Sequence, residues 1–396
     1  MDEILNCSIA EMPGLSFDCS CGRRHSFSVH DLSIRQGAIN DLPRIAAPFK
    51  DEKILIVFDQ NTYRVAGEQA VRLLRENGFT KLKELLFETG DDILIPDEKT
   101  LGRILQEQDL DCKLVIAVGS GVINDSVKFV TSRTGLPFII VATAPSMDGY
   151  VSDGAPIFSH GYKYSPQAHL TYGLVGDTDI LTTAPQDMIE AGFGDVVGKI
   201  TAIADWDLAV KANGDYRCDT CVKLVRGALD KCFSKAEGLK TRDPEALGAL
   251  LEALTLCGVA MALVNISRPA SGAEHMLSHF WEMDYIDRGL NPVHHGTQVG
   301  TATVVIARFF EELRDILPEG TGEFCPPAED IAALLRKGGA PASPKEIGIG
   351  RELFRRSLLE GWTVRPRYSI LQFAKEHGRL EEISEKLTEE FYGTRE

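Results

Sequence analysis

Two rhythms of apolar and polar positions meet near residue 185 of this chain. Before it, short apolar runs alternate with amphipathic stretches. Lys53 to Phe58 reads as a buried strand stopping at Asp59. Val65, Ala66, Ala70, Leu73 and Leu74 recur at helical spacing over 61–77, closed by Asn77-Gly78. Leu82 to Phe87, Lys113 to Val118 and Pro137 to Thr143 read as further strands, with helices over 98–108 and 123–134 between them. Strand and helix alternating at this spacing predict βαβ units and a parallel sheet. After Pro185 the strand signals fade, and helices are predicted over 188–210, 221–234, 244–265, 274–283 and 298–313. The expected fold class is α/β plus all-α: a nucleotide-type domain over 1–185, then a helical domain over 186–396. A cleft between two such domains is the default place for a site.

Composition narrows the classes. The 396 residues suit about two domains at roughly 100–200 residues each. Hydrophobic residues at 44% and charged residues at 25% are globular values. A net charge of −16 repels phosphate backbones and argues against general nucleic-acid binding, although a local cluster of N–H groups still accommodates a small anion. No apolar run approaches the roughly 18–20 residues that span a bilayer, and the longest, such as Lys53 to Phe58, are strand-sized. Met1 to Leu5 has no basic region leading into an apolar one, so no signal peptide or membrane insertion is expected and a cytoplasmic location is. Nine cysteines are then reduced thiols by default. Cys218 and Cys221 have C-x-x-C spacing but no adjoining strand. Cys19, Cys21 and His25 form either a metal hook or a β-hairpin, and the hairpin is preferred because C-x-C with one histidine falls short of a full ligand set.

Chemistry-bearing residues fall in three places. The strand over 113–118 runs into Gly119-Ser120-Gly121 and then a helix. Such a turn lets the backbone approach a pyrophosphate at a helix N-terminus, or is only a tight turn. A second loop, with Thr143, Ser146, Asp148 and Ser152, follows the next strand. It is a ligand loop or a capped turn. Asp59 ends the first strand of the sheet and either takes a ribose hydroxyl, favouring NAD over NADP, or caps a helix.

Four of the nine histidines lie between His275 and His295, where uniform scatter would place about half of one. His275 and His279 share one helix face at i, i+4. Imidazole is the commonest side-chain ligand for a transition metal, and a carboxylate is the usual third ligand of an open site. Asp195, in the glycine-rich run Gly192-Phe193-Gly194-Asp195, is that carboxylate or an N-terminal helix charge paired with Lys199.

Five segments in order carry a resemblance: 119–125 (Gly-Ser-Gly-Val-Ile-Asn-Asp), 143–149 (Thr-Ala-Pro-Ser-Met-Asp-Gly), 192–195 (Gly-Phe-Gly-Asp), 268–275 (Arg-Pro-Ala-Ser-Gly-Ala-Glu-His) and 295–296 (His-Gly). The chain resembles the sn-glycerol-1-phosphate dehydrogenases, most closely their bacterial branch, within the superfamily of metal-dependent alcohol dehydrogenases and dehydroquinate synthases. The resemblance covers nearly the whole chain, including its Cys-x-Cys-Gly-x-x-His start. It implies a Rossmann-like domain over 1–185 with a hairpin extension over 1–35, and a helical metal- and substrate-binding domain over 186–396 of the dehydroquinate synthase-like kind. It implies metal ligands at Asp195, His275 and His295, and substrate contacts at Asp148, Asp195 and His279, with His279 also in the catalytic set. NAD(H) or NADP(H) would lie on Gly119, Ser120, Gly121, Val122, Ile123, Thr143, Ser146 and Ser152. Two departures stand out: the usual glycine triplet is Gly-Ser-Gly, and Lys199 replaces the histidine that iron-type alcohol dehydrogenases carry. The second favours three ligands and leaves zinc, nickel and iron open.

The implied activity is reversible, metal-dependent reduction of dihydroxyacetone phosphate to sn-glycerol 1-phosphate, a precursor of ether-lipid headgroups, with a homodimer common in the family. Arg268, Lys199 and the Ser271-Gly272 turn are candidates for the substrate phosphate by closeness in sequence. The rivals are a glycerol dehydrogenase acting on unphosphorylated polyol, a dehydroquinate synthase-type cyclase, and a regulator that binds nucleotide without turnover.

Overall fold

A computed structural model describes residues 3–90, 92–160 and 162–393. The chain ends drawn into the domain ranges above, Met1-Asp2 and 394–396, lie outside them. The first strands, β1 (Ser16–Asp18) and β2 (Arg24–Ser26), form the expected hairpin. The sheet is built from β3 (Asp31–Arg35), β4 (Lys53–Asp59), β5 (Leu82–Phe87), β6 (Cys112–Gly119), β7 (Phe138–Ala142) and, after a second hairpin of β8 (Ile157–Ser159) and β9 (Tyr162–Tyr164), β10 (Gly173–Asp177). All six run parallel in the order β3-β10-β7-β6-β4-β5.

Burial explains their sequences. β6 and β7 are buried on both faces, hence the unbroken Leu114-Val115-Ile116-Ala117-Val118 and Phe138-Ile139-Ile140-Val141 runs. Between strands lie α1 (Glu68–Glu76), α2 (Glu98–Glu107) and α3 (Gly121–Thr134). The helix expected over 61–77 is interrupted: Tyr63–Gly67 is a π-helical segment before α1. Strand order reverses at β4, which has β5 on one side and β6 on the other. Asp59 and Gly119 end these neighbouring strands, at the kind of switch point where α/β sheets bind ligands.

The longer helices of the second half are α4 (Gln186–Asn213), α5 (Asp219–Ser234), α6 (Pro244–Val264), α7 (Ala273–Asp287), α8 (His295–Glu312), α9 (Ala328–Lys337), α10 (Arg351–Glu360), α11 (Ile370–Glu376) and α12 (Leu380–Tyr392). α6 corrects the expectation that nothing apolar reaches membrane length. A window within it has mean hydropathy 2.1, yet 83% of that window is buried inside the protein, so it is a core helix.

Candidate active site

Three glycines explain how distant segments meet. A side chain at Gly192 would collide with the Pro145 carbonyl, which pulls the 143–149 loop onto α4. Side chains at Gly194 and Gly296 would strike the backbones of Gly296 and Ala191, so α4 and α8 touch main chain to main chain. That crossing sets Asp195 of α4 beside His295, the first residue of α8. Asp195 is well inside α4 and 1% exposed, so the alternative of an N-terminal helix charge does not hold.

The two nucleotide-type loops also converge. The Thr143 N–H donates to the Gly119 carbonyl at 3.1 Å, and the Ser120 and Ser146 hydroxyls are 2.6 Å apart. The Tyr150 hydroxyl donates to Ala144 O at 2.5 Å and braces Ser120 at 3.2 Å. Ser120 caps α3 without a side-chain bond, and the first amide bonded inside the helix is that of Asn124. The amides of Gly121, Val122 and Ile123 therefore fall among the orphan donors of a helix start. Ile123 packs under the turn, where a side chain at Gly119 would meet its Cβ at 2.7 Å. The Ser152 hydroxyl bonds Gly149 O at 3.1 Å within its own loop. Asp59 is the N-cap: its Oδ1 accepts from Asn61 N and Thr62 N, both at 2.8 Å.

Lys199 does more than pair along its helix. Its ammonium, 0% exposed, lies 2.5 Å from Asp195 Oδ1 and 2.7 Å from Asp148 Oδ2. The Asp148 N–H donates to Asp195 Oδ2 at 3.0 Å. Burial alone would pull this ammonium's pKa down. The two carboxylates outweigh it and hold the pKa above its ordinary value. Burial, with the Asp195 charge, pushes Asp148 up.

The histidines are anchored at Nδ1. His275 Nδ1 lies 2.7 Å from Glu274 Oε1, and its Nε2 lies 3.7 Å from Asp195 Oδ1. His279 Nδ1 is 3.1 Å from Glu282 Oε2. His295 Nδ1 is 3.1 Å from Ser278 Oγ and 3.4 Å from Glu282 Oε1. Burial, then the Lys199 charge, pulls His275 well below the usual imidazole range; burial brings His279 to about 4. Neutral imidazoles are the form a metal takes. His294 is not part of the group: its Nε2 reaches Asp187 on the surface.

Asp195 and His275 lie as two ligands of one divalent ion would, and the His295 ring neighbours that of His275. Ligand atoms of a tetrahedral ion lie roughly 3.3 Å apart, and two imidazoles on it have ring centres roughly 5 Å apart. The observed values are 3.7 Å for Asp195 to His275 and 5.2 Å between the His275 and His295 rings. With Nδ1–H donated to Glu274, His275 Nε2 is left unprotonated with its lone pair free, the usual carboxylate–histidine arrangement behind a metal. His279, Glu282 and His295 form a more compact trio. In it Glu282 contacts both histidines at Nδ1, and the Lys163 ammonium at 2.8 Å, so it reads as an orienting carboxylate. Lys163, His295 and His279 outweigh its burial and hold Glu282 well below the usual carboxylate range.

Two of the three phosphate candidates are occupied by other groups, while in the Ser271-Gly272 turn the amide is engaged and the buried Ser271 hydroxyl has no hydrogen-bond partner among the described residues. Arg268 pairs with Asp215 at 2.7 Å and donates to Tyr368 O, Lys199 serves two carboxylates, and the Gly272 amide donates to Glu274. Two cations distant in sequence stand at the histidine cluster. Arg365, from the loop after α10, lies 2.9 Å from His279 Nε2. Among the described residues no carboxylate is within ion-pair distance of it. Lys163, on β9, reaches the same cluster through Glu282.

Residues 33–185 match the iron-containing alcohol dehydrogenase family. The iron-containing alcohol dehydrogenase of Thermococcus thioreducens superposes with a TM-score of 0.67 at 15% identity, over 90% of this chain and 97% of that one. The glycerol dehydrogenase of Schizosaccharomyces pombe superposes with 0.66 at 18% identity, over 92% of each. The fold is thus that of the iron-containing alcohol dehydrogenases. The glycerol-1-phosphate dehydrogenase (NAD(P)+) of Bacillus licheniformis is 33% identical over 91% of this chain and 93% of its own. That of Pyrococcus furiosus is 33% identical over 80% and 85%. The chain belongs to the glycerol-1-phosphate dehydrogenase family.

Proposed function

We propose that this chain catalyses the reversible, metal-dependent reduction of dihydroxyacetone phosphate by NAD(P)H to sn-glycerol 1-phosphate. The observation that carries the reading is Asp195 against His275 beside the 143–149 loop, with His295 next to His275 and Arg365 at His279 Nε2. Asp195 and the Nε2 atoms of His275 and His295 would hold the ion, and one carboxylate with two imidazoles suits zinc, nickel or iron. A bound ion supplies Lewis-acid polarisation of the carbonyl, and the nicotinamide supplies the hydride.

The chain's own residues do the rest. The amides of Gly121, Val122 and Ile123 and the hydroxyls of Ser120, Ser146 and Thr143 receive the dinucleotide. Lys199 keeps Asp195 and Asp148 fixed, and Asp148 faces the substrate hydroxyls. Arg365 takes the substrate phosphate, since a guanidinium pairs with phosphate in bidentate fashion. His279 relays to the new hydroxyl a proton taken up from solvent, with Glu282 holding its Nδ1–H. Asp59 contributes through its cap, and a ribose contact there belongs to the same proposal. So do the boundary at 185/186, a cytoplasmic setting and a homodimer, the last read by light scattering.

The test follows NADH absorbance with dihydroxyacetone phosphate, after chelation and with zinc, nickel or iron restored. Metal-dependent oxidation of NADH, absent with unphosphorylated dihydroxyacetone, supports the reading. Activity on glycerol alone would favour the polyol enzyme. Phosphate release without net NADH loss from a suitable substrate would favour the cyclase, and nucleotide binding without any turnover the regulator.

A further inference from the structure

The N-terminal hairpin and the start of α5 meet through sulfur. Cys19 and Cys21 lie in the turn of the hairpin and His25 lies on β2. Cys218, 199 residues after Cys19, is the N-cap of α5. The donor atoms of these four all lie within 4.8 Å of one another. Cys19 Sγ is 3.6 Å from Cys218 Sγ. His25 Nε2 is 3.2 Å from Cys21 Sγ and 3.5 Å from Cys218 Sγ. We propose that Cys19, Cys21, His25 and Cys218 hold a structural zinc ion that fastens the hairpin to the helical half.

The distances are those such an ion sets. With zinc–sulfur bonds of about 2.3 Å and a zinc–nitrogen bond of about 2.0–2.1 Å, tetrahedral edges are roughly 3.8 Å for sulfur to sulfur and 3.6 Å for sulfur to nitrogen. Disulfide sulfurs would be about 2.05 Å apart, and all nine cysteines are free. One imidazole nitrogen facing two sulfurs at once is what a shared ion produces. Three thiolates and an imidazole are soft donors that select zinc over magnesium or calcium, and four protein donors close the coordination shell.

The surroundings are those of a permanent site. His25 is 2% exposed and Cys218 0%. The Thr220 hydroxyl lies 3.3 Å from Cys19 Sγ and the Tyr216 hydroxyl 3.1 Å from Cys21 Sγ, an outer shell of hydrogen bonds to sulfur. The Arg23 guanidinium stacks 3.4 Å over the Tyr216 ring, adding a cation beside three thiolates. Sequence spacing alone hid the set, because its fourth ligand is on another element. Cys221, the partner C-x-x-C spacing suggested, is not among the four.

The test is metal content of the full chain, read by mass spectrometry after dialysis against a weak chelator. A His275→Ala chain isolates this site from the catalytic one. It should retain one zinc per chain, and cobalt in its place should give intense thiolate-to-metal absorption. In the same background Cys21→Ser, the mildest change because Cys21 is half-buried, should lose that zinc and that absorption, and the melting temperature should fall by roughly 5 °C or more. A His275→Ala chain that stays zinc-free when refolded with zinc, and gives no cobalt–thiolate band, would overturn the proposal. So would zinc retained unchanged in both Cys21→Ser and Cys218→Ser. None of these readouts depends on catalytic activity, so failure here is separable from failure of the reductase assignment.

Discussion

The histidine cluster around Asp195 and the cysteine cluster around His25 both gather donors from distant segments, yet they are finished in opposite ways. Around the histidines the outer shell is charged. Glu274 and Glu282 grip Nδ1 atoms, while Lys199, Lys163 and Arg365 sit against carboxylates or imidazoles. Around the cysteines it is mainly hydroxyl groups and one stacked guanidinium. A site that turns over must hold its ion on three donors, leave a position open and manage the charge that develops there. A site that only holds the fold uses four donors and needs no such management. The charged shell, more than the donors, marks the cluster proposed to be catalytic.

The largest effect tests that mark directly. His275→Ala removes one of three proposed ligands where Lewis-acid stabilisation is worth several kcal/mol. kcat/KM for dihydroxyacetone phosphate should fall by at least roughly 10³-fold. Retention within tenfold of the native value would move the ion onto the trio of His279, Glu282 and His295.

Next in size is the charge management itself. Lys199→Met leaves the carboxylates of Asp148 and Asp195 buried without their cation, and breaking a buried pair in this way costs about 3–5 kcal/mol. Denaturant unfolding of the metal-free chain should show that loss, and loading with metal should recover part of it. A metal-free Lys199→Met chain as stable as the native one would mean that Lys199 does not hold the two carboxylates.

Arg365→Ala is smaller and more selective. A charged hydrogen bond to phosphate is worth about 1.5–3 kcal/mol, so KM for dihydroxyacetone phosphate should rise roughly 10–100-fold. KM for NADH should stay in place. Equal rises in both, with Arg268→Ala reproducing the selective effect instead, would return the phosphate to the site that sequence proximity favoured.

What could be read from the chain depends on whether its physics is local. Three sheet strands, β4, β6 and β7, were legible because burial on both faces leaves unbroken apolar runs, and the edge strand β5 because Leu85, Leu86 and Phe87 still cluster. β3 was missed because it is an edge strand of mixed polarity, Asp31-Leu32-Ser33-Ile34-Arg35. β10 was missed because Gly173 and Gly176 dilute its pattern. Both are glycine so that Ile45 and Leu251 can press onto the strand. In the site, His275 and His279 share a helix face and were visible, as was the glycine-rich run before Asp195. Glu282 carried the same signal, three residues after His279 on that face, and went unread. Arg365 and Lys163 had none: they are two of 42 basic residues, and only the fold shows which of them face the histidines.

The smallest effect sharpens the contrast at the cysteine end. Cys221 is 0% exposed, three residues from Cys218, and carries the spacing that most suggests a ligand. If the four-donor geometry is right, its thiol stays outside the ion's shell and adds only a weak hydrogen bond to Cys218, a buried cysteine there behaving mainly as a small hydrophobe. Cys221→Ala should then cost about 1 kcal/mol through the lost sulfur and leave one zinc per chain in the His275→Ala background. Cys218→Ser, changing a single atom, should lose the ion and destabilise more. The order is informative because packing alone predicts the reverse: serine is nearly the size of cysteine, whereas alanine leaves a void. Zinc lost from Cys221→Ala but kept by Cys218→Ser would move the ligand one helical turn and unmake the match between the measured distances and a tetrahedron.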